Sequence, residues 1–409
     1  MRSVIRAAVL AMALSGSAFA QDTQSFDRIE RGRYLAVLGD CAGCHSKPGG
    51  QPFAGGLALQ TPFGRLVAPN ITPDRETGIG NWTNDEFIAA LHDGRGHNGT
   101  RLYPAMPYPA YTKMTDDDVL ALRAYLSTLA PVNNRVISNQ LPFPLNIRLV
   151  MAFWNWLNFT PGRYRPDPGK SAEWNRGAYL VEGAAHCGTC HTPKTFLGGD
   201  RADAALSGAT LQGWFAPDIT NDARKGIGSW SKDDLVQYLK TGSNNWTLAS
   251  GPMADAVSHS TSKMSDEDIA AIATYVKDGR TGGASSKPVA VSATDTAMRA
   301  GAAIYKDSCA ACHRDSGQGE ASLFPRLAGS ALVQSDDPTT LARVVLQGSR
   351  AVSTPSKPTA PAMPAFGWRL NDAQVAAVLT YIRNSWGNAA PPVAAGTIAT
   401  QRSSLAKAP

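Results

Sequence analysis

The chain has 409 residues, 43% of them hydrophobic and 18% charged, with a formal net charge of +6. It is too apolar to be a disordered chain, and its mild basic excess is too dispersed to mark a nucleic-acid binder. Its length suits about three domains of roughly 100–150 residues rather than one small core.

Residues 1–20 read as a secretory signal peptide: Arg2 and Arg6 precede an apolar run from Ala7 to Leu14, and small residues lead to Ala18-Phe19-Ala20. Cleavage after Ala20 would remove two positive charges. The run is too short to span a bilayer, and no later segment reaches the ~20 uncharged apolar residues that a spanning helix needs. The expectation is an exported protein without a transmembrane helix of its own.

Three five-residue stretches then recur: Cys41-Ala42-Gly43-Cys44-His45, Cys187-Gly188-Thr189-Cys190-His191 and Cys309-Ala310-Ala311-Cys312-His313. Cys-x-x-Cys-His attaches a c-type haem, because two thiols three residues apart reach both vinyl groups and the next residue sets an imidazole under the iron. Three dispersed triplets do not divide into tetrahedral zinc sites, and no βαβ pattern supports a thioredoxin-like dithiol. The motifs use all six cysteines. They predict three covalently bound haem c groups, held by Cys41 and Cys44, Cys187 and Cys190, and Cys309 and Cys312.

Repetition around the motifs defines the units: residues 21–135, 171–280 and 295–387. Each opens on a helix with a glycine ahead of the cysteines, namely Gly32, Gly177 and Gly301, and closes on a helix bearing Tyr125, Tyr275 or Tyr381. A glycine admits close approach, so each is expected to lie against the tyrosine of its own closing helix. That crossing resembles the class I cytochrome c fold, and the expected architecture is all-α. A middle helix follows each motif. It is capped by Thr83 and Glu86 and ended by Gly94 in the first unit; Ser231, Asp234 and Gly242 repeat the arrangement in the second, and Asp337, Pro338 and Gly348 bound it in the third.

Each iron needs a second axial ligand beyond His45, His191 and His313. Met106, Met253 and Met363 are expected to supply it from proline-braced loops. The rivals Met114 and Met264 stand just before the closing helices, where the third unit has Leu370, so that place wants a hydrophobic staple rather than a ligand. His/Met ligation leaves no open coordination site, which suits electron transfer and disfavours peroxidase chemistry. His92, His97, His186 and His259 do not recur and read as surface or packing residues. Trp82 and Trp230, each after a Gly-Ile-Gly turn, suit either a hydrogen bond to a haem propionate or core packing. The third unit lacks this element, so the first two read as a duplicated pair with the third joined separately.

Residues 136–170 form an apolar interdomain segment. Within it, Leu145 to Phe159 carries Arg148, Asn155 and Asn158 on one side of a helical wheel and a broad apolar face on the other. It suits either a membrane interface or burial between domains. Residues 281–294 read as a Gly/Ser/Ala-rich linker, and 388–409 as an Ala/Pro-rich tail, extended or disordered.

The haem motifs, Tyr103-Pro104-Ala105-Met106-Pro107-Tyr108, the stretches Asn70-Ile71-Thr72-Pro73-Asp74 and Asp218-Ile219-Thr220, and Ile382-Arg383-Asn384-Ser385-Trp386-Gly387 together resemble the tri-haem cytochrome c subunit of bacterial membrane-bound dehydrogenases. That family includes the cytochrome c subunits of quinoprotein alcohol dehydrogenase and of gluconate 2-dehydrogenase. The resemblance implies that a separate dehydrogenase catalytic subunit oxidises an alcohol, gluconate or a similar polyol or aldehyde. This chain would then relay the electrons to ubiquinone or the respiratory chain, in the periplasm at the outer face of the inner membrane. A free-standing periplasmic carrier is the alternative, and a haem peroxidase the weaker one.

Overall fold

A computed structural model describes residues 25–137, 139–279 and 288–406. The expected signal peptide and the first half of the 281–294 linker lie outside the described residues. In the first unit the opening helix Phe26–Leu38 crosses the closing helix Asp116–Ser127. In the second, Ala172–Tyr179 crosses Asp266–Asp278, and in the third Thr296–Ser308 crosses Asp372–Arg383.

The three glycines are where those helices touch. A Cβ on Gly32 would stand 2.8 Å from Tyr125 Cβ and inside the contact distance of the Ala121 carbonyl. Gly177 meets Ala271 and Tyr275 in the same way, and Gly301 meets Ala377 and Tyr381, each with a Cβ separation of 2.7 Å. The middle helices are Asn84–Asp93, Lys232–Thr241 and Thr339–Gln347. Thr83 with Glu86 and Ser231 with Asp234 form complete capping boxes, while Gly94 and Gly242 end their helices in the left-handed region.

The all-α expectation holds only in the main. Antiparallel hairpins pair Ala58–Thr61 with Gly64–Val67, Ala209–Leu211 with Trp214–Ala216, and Ser349–Arg350 with Ala362–Met363. Segments of two to four residues are too short to show alternation in sequence, and turns fix them: Gln212 and Gly213 both take positive φ, as a tight hairpin turn requires.

One apolar cluster runs through both of the first two units, from Leu35, Leu122 and Leu126 to Leu180, Ile269 and Val276. The third unit has its own cores and docks on the second mainly through polar and cation–π contacts, with one small apolar cluster of Val352 against Ala249 and Val257. Thr340 Oγ1 accepts from Phe215 N at 2.8 Å and donates to its carbonyl at 3.0 Å, and Arg343 lies 4.6 Å over the Trp214 ring.

The tail differs from expectation. Ala395–Ala406 is a helix packed on the third unit's closing helix, with Ile398 fully buried. Arg402 donates to Asp372 Oδ1 (2.8 Å) and to the carbonyls of Gly367 (2.6 Å) and Leu370 (2.8 Å). Two apolar anchors in twelve residues leave no periodicity to read, and one arginine holds what composition alone would leave loose.

Gly177→Ala is expected to force the crossing apart and cost about 1–3 kcal/mol, as overpacking does. Gly396→Ala, which meets nothing within 4 Å, should be neutral or slightly stabilising. Thermal unfolding of the two variants checks this, and equal midpoints would contradict it.

Candidate haem sites

Each Cys-x-x-Cys-His stretch folds into a short helical turn soon after its opening helix, with a π-helical turn, Leu180–Ala184, between the two in the second unit. The first, Cys41–His45, is capped by Asp40, which takes a left-handed φ of 45° and accepts from Gly43 N at 3.2 Å. His186 holds the equivalent left-handed place before Cys187. The first cysteine of each pair is half-buried and the second exposed, three times over. Burial pushes the Cys41 and Cys187 thiols up to about 12 and Cys309 to about 11. Such thiols stay protonated and are poor thiolate ligands or redox nucleophiles.

The histidines share a partner that the sequence did not announce. His45 Nδ1 lies 2.8 Å from the Pro69 carbonyl, His191 Nδ1 2.7 Å from that of Pro217, and His313 Nδ1 2.9 Å from that of Pro325. A carbonyl can only accept, so Nδ1 carries the hydrogen and Nε2 keeps its lone pair. Burial lowers the pKa of all three imidazoles, which favours the neutral form that binds iron. Two thiols plus one oriented, neutral imidazole per unit is a donor set that fits a covalently attached haem. Pro69 and Pro217 immediately precede the Asn70-Ile71-Thr72 and Asp218-Ile219-Thr220 stretches, but nothing local to them or to Pro325 said that a carbonyl would return to the histidine.

The methionines sit differently from one another. Met106 is in a loop tied by Met106 N to the Tyr103 carbonyl (3.0 Å). Met253 is not in a loop: with Pro252 it begins the helix Pro252–His259, a place where a missing proline N–H costs nothing. Met363 lies in the short strand Ala362–Met363. Met106 and Cys41 border the same apolar cluster, as do Met253 and Cys187; in the third unit Ile304 and Leu341 join the clusters that Met363 and Cys309 border. Met114, Met264 and Leu370 are all buried in core clusters, matching their reading as staples.

The first two sites adjoin. Burial first, then the Asp40 carboxylate and the nearby Cys190 thiol push Cys44 up to about 11. His186, expected to be a surface or packing residue, instead donates from Nε2 to the Gly39 carbonyl at 3.1 Å, joining the two attachment segments. His97 stacks on Trp82 with ring centroids 6.1 Å apart, and Trp230 stands edge-on to Tyr238. The third site approaches the second on its methionine side, where Val352 packs in one cluster with Ala249 and Val257, bordered by Met253.

The interdomain segment takes neither of its two expected places outright. Its helix Val150–Asn158 buries Met151 and Trp154 against Tyr108, and Asn155 accepts from the Tyr108 hydroxyl at 2.6 Å. Asn158 also faces inward, close enough to Gly199 that a Cβ there would collide with it. The polar side of the wheel thus meets protein, while Leu149 (73% exposed), Phe153 (56%) and Trp156 (77%) face outward. Phe196, 95% exposed, stands next to the point where the helix meets the second unit, Trp154 Nε1 donating to the Leu197 carbonyl at 2.7 Å. Among the described residues no helix is long and apolar enough to cross a membrane.

The cytochrome c family model matches residues 29–130, 175–280 and 298–386, and the chain belongs to that family, whose members carry covalently bound haem c. It is similar over nearly its whole length to the gluconate 2-dehydrogenase cytochrome c subunit of Pantoea cypripedii, with 43% identity covering 95% of this chain and 92% of that one. The alcohol dehydrogenase (quinone) cytochrome c subunit of Gluconobacter oxydans is 40% identical over 95% of this chain and 84% of its own. The fructose dehydrogenase cytochrome subunit of Gluconobacter japonicus is 40% identical over 90% and 82% respectively.

His92 is buried in the first unit beside Met114 and Arg163, and burial first, then Arg163, lowers its pKa to about 4. The unfolded chain therefore binds a proton near pH 6.5 that the folded chain refuses until about 4. Stability is expected to fall as pH drops through that window, by up to about 1.4 kcal/mol per pH unit. His92→Leu should flatten this acid limb in denaturant titrations run from pH 7 to pH 4.

Proposed function

We propose that this chain is the electron-transfer subunit of a dehydrogenase complex, carrying three covalent haem c groups. Their axial pairs are His45 with Met106, His191 with Met253, and His313 with Met363. Haem iron supplies one-electron redox chemistry, and a thioether ligand favours its reduced state. The observation that carries the reading is the threefold arrangement of a thiol pair and an imidazole whose Nδ1 is committed to a proline carbonyl. That hydrogen bond fixes each ring's orientation, and the apolar clusters around the cysteines and methionines keep water from the iron's neighbourhood.

The partner is a catalytic subunit that oxidises a substrate of the alcohol, sugar or gluconate type, as the names of the similar proteins suggest. The acceptor is ubiquinone or a later member of the respiratory chain, reached from the periplasmic side of the inner membrane. The outward apolar face of the Val150–Asn158 helix supports this, because aromatic side chains at such exposure suit the headgroup region of a bilayer. Tyr103, whose hydroxyl donates to the Leu145 carbonyl at 2.9 Å, and Tyr108 seat that segment on the Met106 loop. The first site is thus the one that abuts the apolar surface.

Met106→Ala, Met253→Ala and Met363→Ala should each remove one site's share of the near-infrared sulfur-to-iron band, and Met114→Leu and Met264→Leu should leave it whole. Loss of the band in Met114→Leu would reverse the ligand assignment. Replacing Phe153, Trp156 and Leu157 together with serine should release the complex from membranes or slow quinone reduction, with haem content and reduction by the dehydrogenase unchanged. These side chains face outward, so the variant is expected to fold. Normal membrane binding together with normal quinone turnover would end the docking assignment.

A further inference from the structure

The first two units grip each other through a pair of reciprocal contacts. Tyr34, on the opening helix of the first unit, donates to Asp268 Oδ2 of the second unit at 2.8 Å and accepts from Ser265 N at 2.9 Å. Tyr179, on the opening helix of the second unit, donates to Asp118 of the first and accepts from Thr115 N at 3.2 Å. Thr115 and Ser265 are the N-caps of the two closing helices, and Asp118 and Asp268 stand three residues further on. Each aspartate is also paired with an arginine of its own unit, Arg31 with Asp118 and Arg176 with Asp268.

In an ordinary capping box the residue three past the cap turns its side chain back to the cap's N–H. The third unit does this: Asn371 N donates to Gln374 Oε1 at 3.0 Å. In the first two units the aspartate turns away to the arginine, and a tyrosine hydroxyl from the other unit takes its place at the cap N–H. The parts occur together or not at all. Counting from the crossing glycine, Arg31 and Tyr34 match Arg176 and Tyr179; in the third unit the same places hold Ala300 and Ala303, and Gln374 replaces the aspartate. The tyrosines are therefore not needed for the fold of a unit. They belong to the pairing of two.

The pairing has a consequence for the attachment sites, since each opening helix leads within a few residues to its own cysteines, in the second unit through the π-helical turn Leu180–Ala184. Between the two latches, His186 bonds Gly39, Ser260 Oγ donates to the Leu38 carbonyl at 3.2 Å, and the Cys44 and Cys190 thiols lie within electrostatic reach of each other. We propose that Tyr34 and Tyr179 are positioning residues: each completes the cap of the other unit's closing helix, and together they hold the first two attachment segments at one spacing, setting the redox interaction between the groups attached there. The second half of this rests on the reading that both segments carry haem; the first half does not.

The test uses the full-length holoprotein with Tyr34→Phe, Tyr179→Phe and the double variant. Tyr305→Phe, whose hydroxyl donates to the Arg314 carbonyl inside the third unit, is the control. Phenylalanine keeps the ring packing, so three haems by intact mass are expected throughout. Amide exchange should rise crosswise: Tyr34→Phe exposes Ser265 in the second unit, and Tyr179→Phe exposes Thr115 in the first. In the double variant the bisignate Soret circular-dichroism signal of two fixed neighbouring haems should diminish, and the separation between their redox waves should change, neither moving in Tyr305→Phe. Exchange that rises only in the substituted unit, or in neither, overturns the crosswise cap. An unchanged Soret signal with unchanged redox waves overturns the positioning role. A mass lacking haem at either of these sites in the unsubstituted protein would overturn the attachment reading instead, while the crosswise exchange still decides the cap.

Discussion

A histidine can offer iron one nitrogen in a fixed direction only if its other nitrogen is already spoken for. Here the acceptor is each time a proline carbonyl, 24, 26 and 12 residues beyond the histidine. The chain must therefore leave each attachment segment and come back to it. In the first two units the long excursion is folded into a hairpin, Ala58–Val67 or Ala209–Ala216. In the third unit the excursion is half as long, and no named strand lies within it. The first two of the three hairpins that depart from the all-α expectation are thus each the packaging of one hydrogen bond, while the third lies beyond Pro325 and carries Met363.

The second constraint is the glycine crossing, which brings the opening and closing helices of each unit within backbone contact. Because the cysteines follow the opening helix within a few residues, across a π-helical turn Leu180–Ala184 in the second unit, the angle of that crossing aims them. Uniting the first two units in one apolar core then sets two attachment segments relative to each other, and the Thr340–Phe215 and Arg343–Trp214 contacts add the third by its middle helix. The third contact set is more polar than the first, as suits a domain joined by a linker rather than fused through its core.

What could be read from sequence was whatever repeats: the three motifs, the glycine and tyrosine of each crossing, the capping boxes, and the Met114, Met264 and Leu370 series that identifies a staple by its third member. What could not be read was whatever depends on partners far along the chain. Pro69, Pro217 and Pro325 act through backbone carbonyls, which carry no residue signature. The Val150–Asn158 helix has a clear amphipathic pattern, yet the pattern does not say which side faces the protein. Tyr108 and Gly199 lie some 40 residues on either side of it and draw the asparagines inward. Met253 went to a loop in expectation because proline was taken as a loop signal, whereas at the first turn of a helix it is a favoured residue.

The tail helix changes what counts as the third unit. The family match ends at residue 386, but Ile398 fills the core beneath the closing helix, and Arg402 satisfies carbonyls and a carboxylate at the start of that helix. The smallest piece able to close this core therefore extends through Leu405. A fusion or affinity tag joined just after this helix would hang directly from a structural element. The order of assembly follows as well: however early its cysteines emerge, the third unit cannot complete its packing until the helix Ala395–Ala406 has arrived.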